Sequence, residues 1–451
     1  MTKHAGLTLL LLLLLCPASL AQTRGGLTPT VTPAPFDVLH YDARVEPDVV
    51  NKTVKGRVLI KLVARAGGLG ALEFDCGELV IDAVRVGAKA ERFERLERVV
   101  RVFLSRPARA GETREVEFEY HGSPRRGIRF YPEREMVYTV FTTSQWMVCV
   151  DAPDDRATLR MTLVLPAKLA NVANGREAAR RALPDGRVAH EWRLDAPVPT
   201  YTFGFAAGRF REVTEATGRR GRVRLRYLAE NHTDAELRRV FRDTADMIAF
   251  YEERSGVPYA GAAYTQVLAP GGIDQEMSGF TVMNDGYGSG VLADERDVWL
   301  GAHELSHQWW GIGVTARDWT HFWLNEGVAT FIATAYKERR FGREEYTREI
   351  EKYRASYEKV RDAGHDKSLV FADWVRPTRE DRTLVYDKGA YVLHLLREEL
   401  GERAFWAGLR QYTRKFTGKS VTTSDFQTEM ERAGGRSLSG FFAKWVYMTK
   451  R

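Results

Sequence analysis

The stretch Leu300-Gly-Ala-His-Glu-Leu-Ser-His-Gln-Trp-Trp310 puts two histidines four positions apart, with a glutamate directly after the first. Residues four apart on an α-helix share a face, so His303 and His307 can turn both imidazoles toward one metal ion. Glu304 is rotated by about 100° from His303. It stands beside such an ion and suits a general base acting on a metal-bound water. The flanks read as helical: Asp294 and Asp297 suit an N-terminal turn, and Gly311 follows Trp310 as a stop. H-E-x-x-H arises by chance in roughly 2% of chains of this length and composition, so the pair alone does not define a site.

A catalytic zinc takes three protein ligands and keeps one position for water. The next segment, Trp323-Leu-Asn-Glu-Gly-Val-Ala-Thr-Phe331, offers the third in Glu326, 19 positions after His307. It reads as part of a second helix, about 324–340. The short connection 311–322 lets the two helices pack side by side. His303, His307 and Glu326 then form a His2Glu site for one Zn2+ per chain. Asp318 and His321, in the connection, read as surface groups.

Outward from these helices, two patterns divide the chain. From Asp37 to about Arg211, short runs rich in β-branched residues alternate with Gly- and Pro-containing turns. Val54–Val63, Val80–Val86, Val99–Leu104, Glu115–Tyr120 and Leu159–Leu165 are the clearest. They predict an antiparallel sandwich or saddle. After about Gly218 the period becomes helical. Helices are expected over 234–253, 294–310, 324–340, 344–361, 388–400, 402–416 and 424–433. The expected fold is α+β and multidomain. An N-terminal antiparallel β-sandwich or saddle domain (37–211) precedes a mainly helical zinc catalytic domain (212–451).

The N-terminus reads as a secretory signal. Lys3 precedes the apolar run Leu7–Leu15, which is too short to span a bilayer comfortably, and Ser19-Leu20-Ala21 ends in a cleavage-type pattern; an uncleaved membrane anchor is the alternative. A signal peptide at 1–21, a Pro/Thr/Gly-rich flexible lead at 22–36, and export of the mature chain are expected. No other segment is apolar enough for stable membrane insertion. Cys76 and Cys149 remain after cleavage and are expected as buried free thiols. The 67 Lys and Arg and 60 Asp and Glu are interleaved along the chain. That reads as a solvated surface with no nucleic-acid partner. Oligomeric state is not legible.

With these residues in place, the chain resembles the aminopeptidase N family of zinc peptidases, which includes leukotriene A4 hydrolase. His-Glu-Leu-Ser-His, 18 intervening residues, and Glu326 in an Asn-Glu-Gly context are similar to that family's zinc signature. Thr330 stands where thermolysin-like enzymes place an aspartate. Trp146–Pro153, Tyr201–Phe210, Asp425-Phe426 and Phe441–Trp445 extend the resemblance over most of the mature chain. Tyr386-Asp-Lys-Gly-Ala390 resembles the family's catalytic tyrosine motif. The resemblance implies that the catalytic domain is thermolysin-like, that Tyr386 stabilises the oxyanion and that Glu304 is the general base. The family binds the substrate's α-ammonium through a glutamate in a Gly-x-Met-Glu-Asn loop. Glu276 matches it within Gly271-Gly-Ile-Asp-Gln-Glu-Met-Ser-Gly279, with Gln275 in place of Met and Met277 in place of Asn. A second amine anchor is expected upstream of Cys149, where Val137 falls near the spacing and Gln145 is a substitute if the loop shifts. The chain reads as a short form without the family's C-terminal helical domain, with a more open cleft.

These expectations lead to peptide substrates and the release of N-terminal residues. A zinc endopeptidase with an open cleft is the alternative. A non-catalytic peptide-binding module on the same fold is the third reading.

Overall fold

A computed structural model of the 451-residue chain describes residues 34–216, 223–371, 374 and 377–448. The expected signal peptide, and nearly all of the lead after it, lie outside the described residues.

The first strand, Phe36–Asp48, shows why a sheet forms here: buried residues alternate with more exposed ones along most of its length. It lies inside an eight-stranded sheet. The strand order is Arg176–Ala182, Arg187–Pro199, Arg156–Pro166, Phe36–Asp48, Thr53–Ala64, Thr113–Gly122, Val80–Val86 and Lys89–Ala90. All five strands read from the alternation are present. The sheet departs from the antiparallel expectation at one place. Phe36–Asp48 runs parallel to Arg156–Pro166, with His40 opposite Thr158. Strands more than a hundred residues apart are not bound by hairpin geometry, and local alternation carries no information about their direction. Three- and four-stranded sheets complete this half, and Phe74, Phe118, Trp146 and Phe205 fill its core. Cys76 and Cys149 are buried free thiols, as expected.

The second half opens with a five-stranded sheet that the sequence did not announce. Its order is Arg211–Ala216, Arg224–Ala229, Ala263–Ala269, Phe280–Asn284 and Gln275–Met277. Its central strands pair in parallel and are nearly wholly buried. A strand covered on both faces has no polar side to alternate with, so its pattern is silent. Tyr227, Leu268 and Met283 pack under the helices. Their chain neighbours Leu228, Val267 and Val282 pack into the core of the β-rich half. This sheet is therefore the wall shared by the two cores, and Gln275–Met277 is its edge.

Five helices match closely: Trp323–Phe341, Arg343–Asp362, Gly389–Leu400, Glu402–Phe416 and Thr423–Gly434. Two expectations change. The helix expected over 234–253 is broken into Asp234–Val240 and Thr244–Ser255, with Phe241 at the break stacked on Tyr227 at 4.8 Å. The helix expected over 294–310 is Trp299–Ser306 only. Asp294 ends the preceding helix, Asp285–Ala293, instead of starting this one, and the amide of Asp297 turns back onto the Asp294 carbonyl. Among the described residues, no helix is long and apolar enough to cross a membrane.

Candidate active site

The helix Trp299–Ser306 carries His303, and His307 continues its right-handed turn as the C-terminal cap residue. Glu326 lies in the first turn of Trp323–Phe341. The two helices pack together, and the three side chains converge. His303 Nε2 and His307 Nε2 are 3.1 Å apart, and Glu326 Oε2 is 3.3 and 3.5 Å from them. All three residues are buried.

This arrangement fits a metal ion better than it fits hydrogen bonding. Glu326 Oε2 is buried and has no hydrogen-bond partner among the described residues. Donors placed tetrahedrally at zinc distances stand about 3.3 Å from one another, which is the spacing seen. His307 Nδ1 donates to the Trp310 carbonyl at 2.9 Å, which leaves the Nε2 lone pair facing the cluster. Thr330 Oγ1 lies 3.5 Å from His303 Nδ1 on the corresponding outer side.

The charge balance asks for a cation as well. Glu276, Glu304 and Glu326 are all buried around two imidazoles. Burial pushes the Glu304 carboxyl well above its ordinary range, opposed by His307 and reinforced by Glu276, Asp274 and Glu326. Burial also raises Glu276, to about 7. Burial alone would lower His307, but Glu326, Glu276 and Glu304 reverse this and hold it at about 10. A proton on His307 answers the surplus of carboxylate charge, a task that a divalent ion performs more completely.

Glu276 is on the edge strand and reaches the same cluster: a carboxylate oxygen of Glu276, one of Glu304 and a ring nitrogen of His307 lie within 4.8 Å of one another. Glu276 Oε2 accepts from Gln275 Nε2 at 2.7 Å, and Oε1 is buried without a partner. Glu304 Oε2 is likewise unpartnered. Tyr386 lies in a π-helical turn, Leu384–Lys388, that leads into Gly389–Leu400. Its ring stacks near that of His303, with centroids 6.0 Å apart. Burial, then Glu326, Glu276 and Glu304, raise its phenol well above the usual value, so it is a neutral donor. Two glycines bring it close. A Cβ on Gly327 would lie 3.0 Å from the Cα of Gly389, so these backbones touch where any side chain would hold Glu326 and Tyr386 apart.

The six residues expected from the sequence thus meet around one cavity of about 440 Å³. Asp318 and His321, expected as surface groups, stay out of the cavity, but His321 is buried and not at the surface. Asp318 caps the short turn Trp319–His321, and His321 bonds the Thr423 hydroxyl. The second amine anchor is corrected. Val137 is buried in the strand Met136–Thr139, and Gln145 is packed beside Gly77 and Gly127, so neither lines the cavity. Phe141 occupies the wall that the β-rich half contributes. Its φ of +43° is a strained setting for a non-glycine residue. The amide of Gln275 holds it there: Oε1 accepts from Phe141 N at 2.9 Å while Nε2 binds Glu276. The residue in place of the family's methionine therefore ties the rim of the cavity to Glu276.

Sequence reasoning also missed Asp274, Trp299 and Arg382 in the cavity wall. A period of two from Glu276 reaches Asp274. One turn back from His303 and Tyr386 reaches Trp299 and Arg382. Those signals were present. No sequence signal pointed to Phe141.

Tyr201, from the β-rich half, joins the two ligand-bearing segments. Its hydroxyl donates to the Gly311 carbonyl and accepts from Asn325 Nδ2, both at 3.0 Å. Asn325 Oδ1 in turn accepts from the Ala316 amide. Tyr201→Phe leaves the Asn325 amide buried without that partner. A loss of about 1–3 kcal/mol in unfolding free energy is expected, measured by denaturant titration. An unchanged midpoint and slope would show that the bridge carries no stability.

A buried His2Glu donor set, a carboxylate beside it and a phenol above it define a metal-dependent hydrolase of the peptidase type. Two family descriptions match the chain: "Peptidase M1 N-terminal domain" over residues 38–202 and "Peptidase family M1 domain" over 240–445. The chain belongs to peptidase family M1. Among curated relatives, it is 26% identical over 295 residues to leucine aminopeptidase 2 of Aspergillus clavatus, covering 62% of this chain and 45% of that one. It is 29% identical over 298 residues to the Aspergillus oryzae enzyme of the same name, covering 62% and 46%. The chain thus spans about half the length of the curated relatives it matches. Among solved structures, it resembles an M1 zinc metallopeptidase from Deinococcus radiodurans with a TM-score of 0.77 and 25% identity, over 92% of this chain and 94% of that one. A mutant of that enzyme bound to a Tyr-Ser-Ala substrate gives a TM-score of 0.78 at 25% identity, over 92% and 95%.

Proposed function

We propose that this chain is a zinc aminopeptidase that releases N-terminal residues from peptides. The convergence of His303, His307 and Glu326, with Glu304 and Glu276 against the same cluster, carries this reading. The relatives named leucine aminopeptidase and the peptide-bound Deinococcus structure support it. His303, His307 and Glu326 would hold one zinc ion. When bound, zinc supplies Lewis acidity toward a water and a substrate carbonyl. Glu304, with an unpartnered oxygen, takes the proton of the attacking water and passes it to the leaving amine. Tyr386 donates its neutral O–H to the developing oxyanion, where such donors contribute about 3–4 kcal/mol. The free Oε1 of Glu276 receives the α-ammonium in a charge-assisted hydrogen bond. The signal-type pattern in residues 1–21 supports export, with this activity outside the cytoplasm.

Paired peptides with free and acetylated N-termini test the reading. Acetylation removes the charge that Glu276 would bind, so turnover of the acetylated peptide is expected to fall by at least about 10-fold, with zinc measured in the same sample. Equal turnover of both would leave the endopeptidase reading, which the altered Glu276 loop keeps in view.

A further inference from the structure

Among the described residues, the cavity holds four carboxylates, on Asp274, Glu276, Glu304 and Glu326, and a single lysine or arginine side chain, Arg382. Arg382 is exposed, and among the described residues its guanidinium has no ion pair or hydrogen bond. Two less exposed arginines elsewhere in this protein are held by acids. Arg134 is paired to Glu230 and Asp285, and Arg397 to Glu338 and Glu402. Arg382 is in the helix Arg379–Thr383, one turn before Tyr386, so both side chains enter the same cavity. Glu276 approaches the metal-donor cluster from the side of His307 and Glu304, and Tyr386 stacks on His303. A peptide whose amine is held at Glu276 and whose scissile carbonyl meets Tyr386 would continue toward the wall that carries Arg382.

We infer that Arg382 is a specificity-determining residue that receives a substrate carboxylate on the leaving-group side of the scissile bond. This rests on the aminopeptidase reading and narrows its substrate class to short peptides whose negative charge lies close behind the N-terminal residue. A free guanidinium matches a carboxylate in bidentate geometry, whereas an amide carbonyl uses only part of its donor fork. A cavity of about 440 Å³ is of the size of a small-ligand site. The carboxylate has two sources: the C-terminus of a short peptide, or an acidic side chain just after the cleaved bond.

The experiment compares Ala-Ala-Ala as free acid, Ala-Ala-Ala amide and Ala-Asp-Ala amide, with wild type and Arg382→Ala. Wild type is expected to prefer at least one carboxylate-bearing peptide over Ala-Ala-Ala amide by about 10- to 100-fold in kcat/KM, mainly through KM. Preference for the free acid assigns the C-terminal source, and preference for Ala-Asp-Ala amide assigns the side chain. Arg382→Ala should erase the preference, lowering kcat/KM on the carboxylate-bearing peptides to that on Ala-Ala-Ala amide. Equal kcat/KM for all three peptides with wild type would overturn the inference. So would an equal loss on all three with the variant, since that would mark a disturbance of Tyr386 one turn away. N-acetylated Ala-Ala-Ala serves as control. Its unimpaired cleavage would defeat the aminopeptidase reading, while the acid-to-amide ratio still reports on Arg382.

Discussion

Glu304→Gln should lower kcat on a free-amine peptide by about 10²- to 10⁴-fold while the protein retains one zinc per chain. The geometry separates the two functions. Glu304 is one residue from a proposed ligand, yet it is not among the three side chains whose donor atoms meet at His303, His307 and Glu326. Gln keeps the size and loses the basicity, so proton transfer fails and the metal donors stay in place. Metal content by elemental analysis and kcat on the same preparation decide the matter. Turnover near wild type with zinc bound would remove Glu304 as the base. Stability should move the other way. Burial raises the Glu304 carboxyl, so its ionised form is disfavoured in the fold, and stability is lost as pH rises through the carboxylate range toward that raised value. Metal-stripped Glu304→Gln protein should therefore melt at a higher temperature than metal-stripped wild type at pH 7, and at nearly the same temperature in acid.

Glu326→Gln should remove both zinc and activity. Two imidazoles 3.1 Å apart remain, but the anionic donor that complements them is gone. The amide oxygen of Gln is a weaker ligand that carries no charge to offset a dication. Zinc per chain is expected to fall from one toward zero after dialysis, and peptide hydrolysis should vanish with it. Excess zinc should restore little turnover. A variant that holds zinc as tightly as wild type in competition with a chelator would show that the third ligand lies elsewhere.

The chemistry of the site was more legible in the sequence than its walls were. His303 and His307 share a face because a helix repeats every 3.6 residues, and this constraint survives the shortening of the helix to Trp299–Ser306. Glu326 required only that two adjacent helices pack, and Gly327 against Gly389 fixed how closely Tyr386 could follow. Gln275 shows the opposite case. As a sequence letter it was a departure from the family pattern. In the fold it is the hydrogen-bonded tie between Phe141 and Glu276. The five-stranded sheet was hidden because strands buried on both faces have no amphipathic signature.

The sequence by itself picked out the proposed donors and base, because each depends on a side-chain type at a helical spacing, while Tyr386 was picked out by the resemblance to the aminopeptidase N family. Only the tertiary structure decided that Phe141, and neither Val137 nor Gln145, lines the cavity, that Tyr201 bridges from the other half to the ligand-bearing segments, and that Arg382 faces the cavity with no ion pair among the described residues. Local spacing is set by backbone geometry over a few residues. These contacts span tens to more than a hundred residues, and they exist only once the two cores close on the sheet between them.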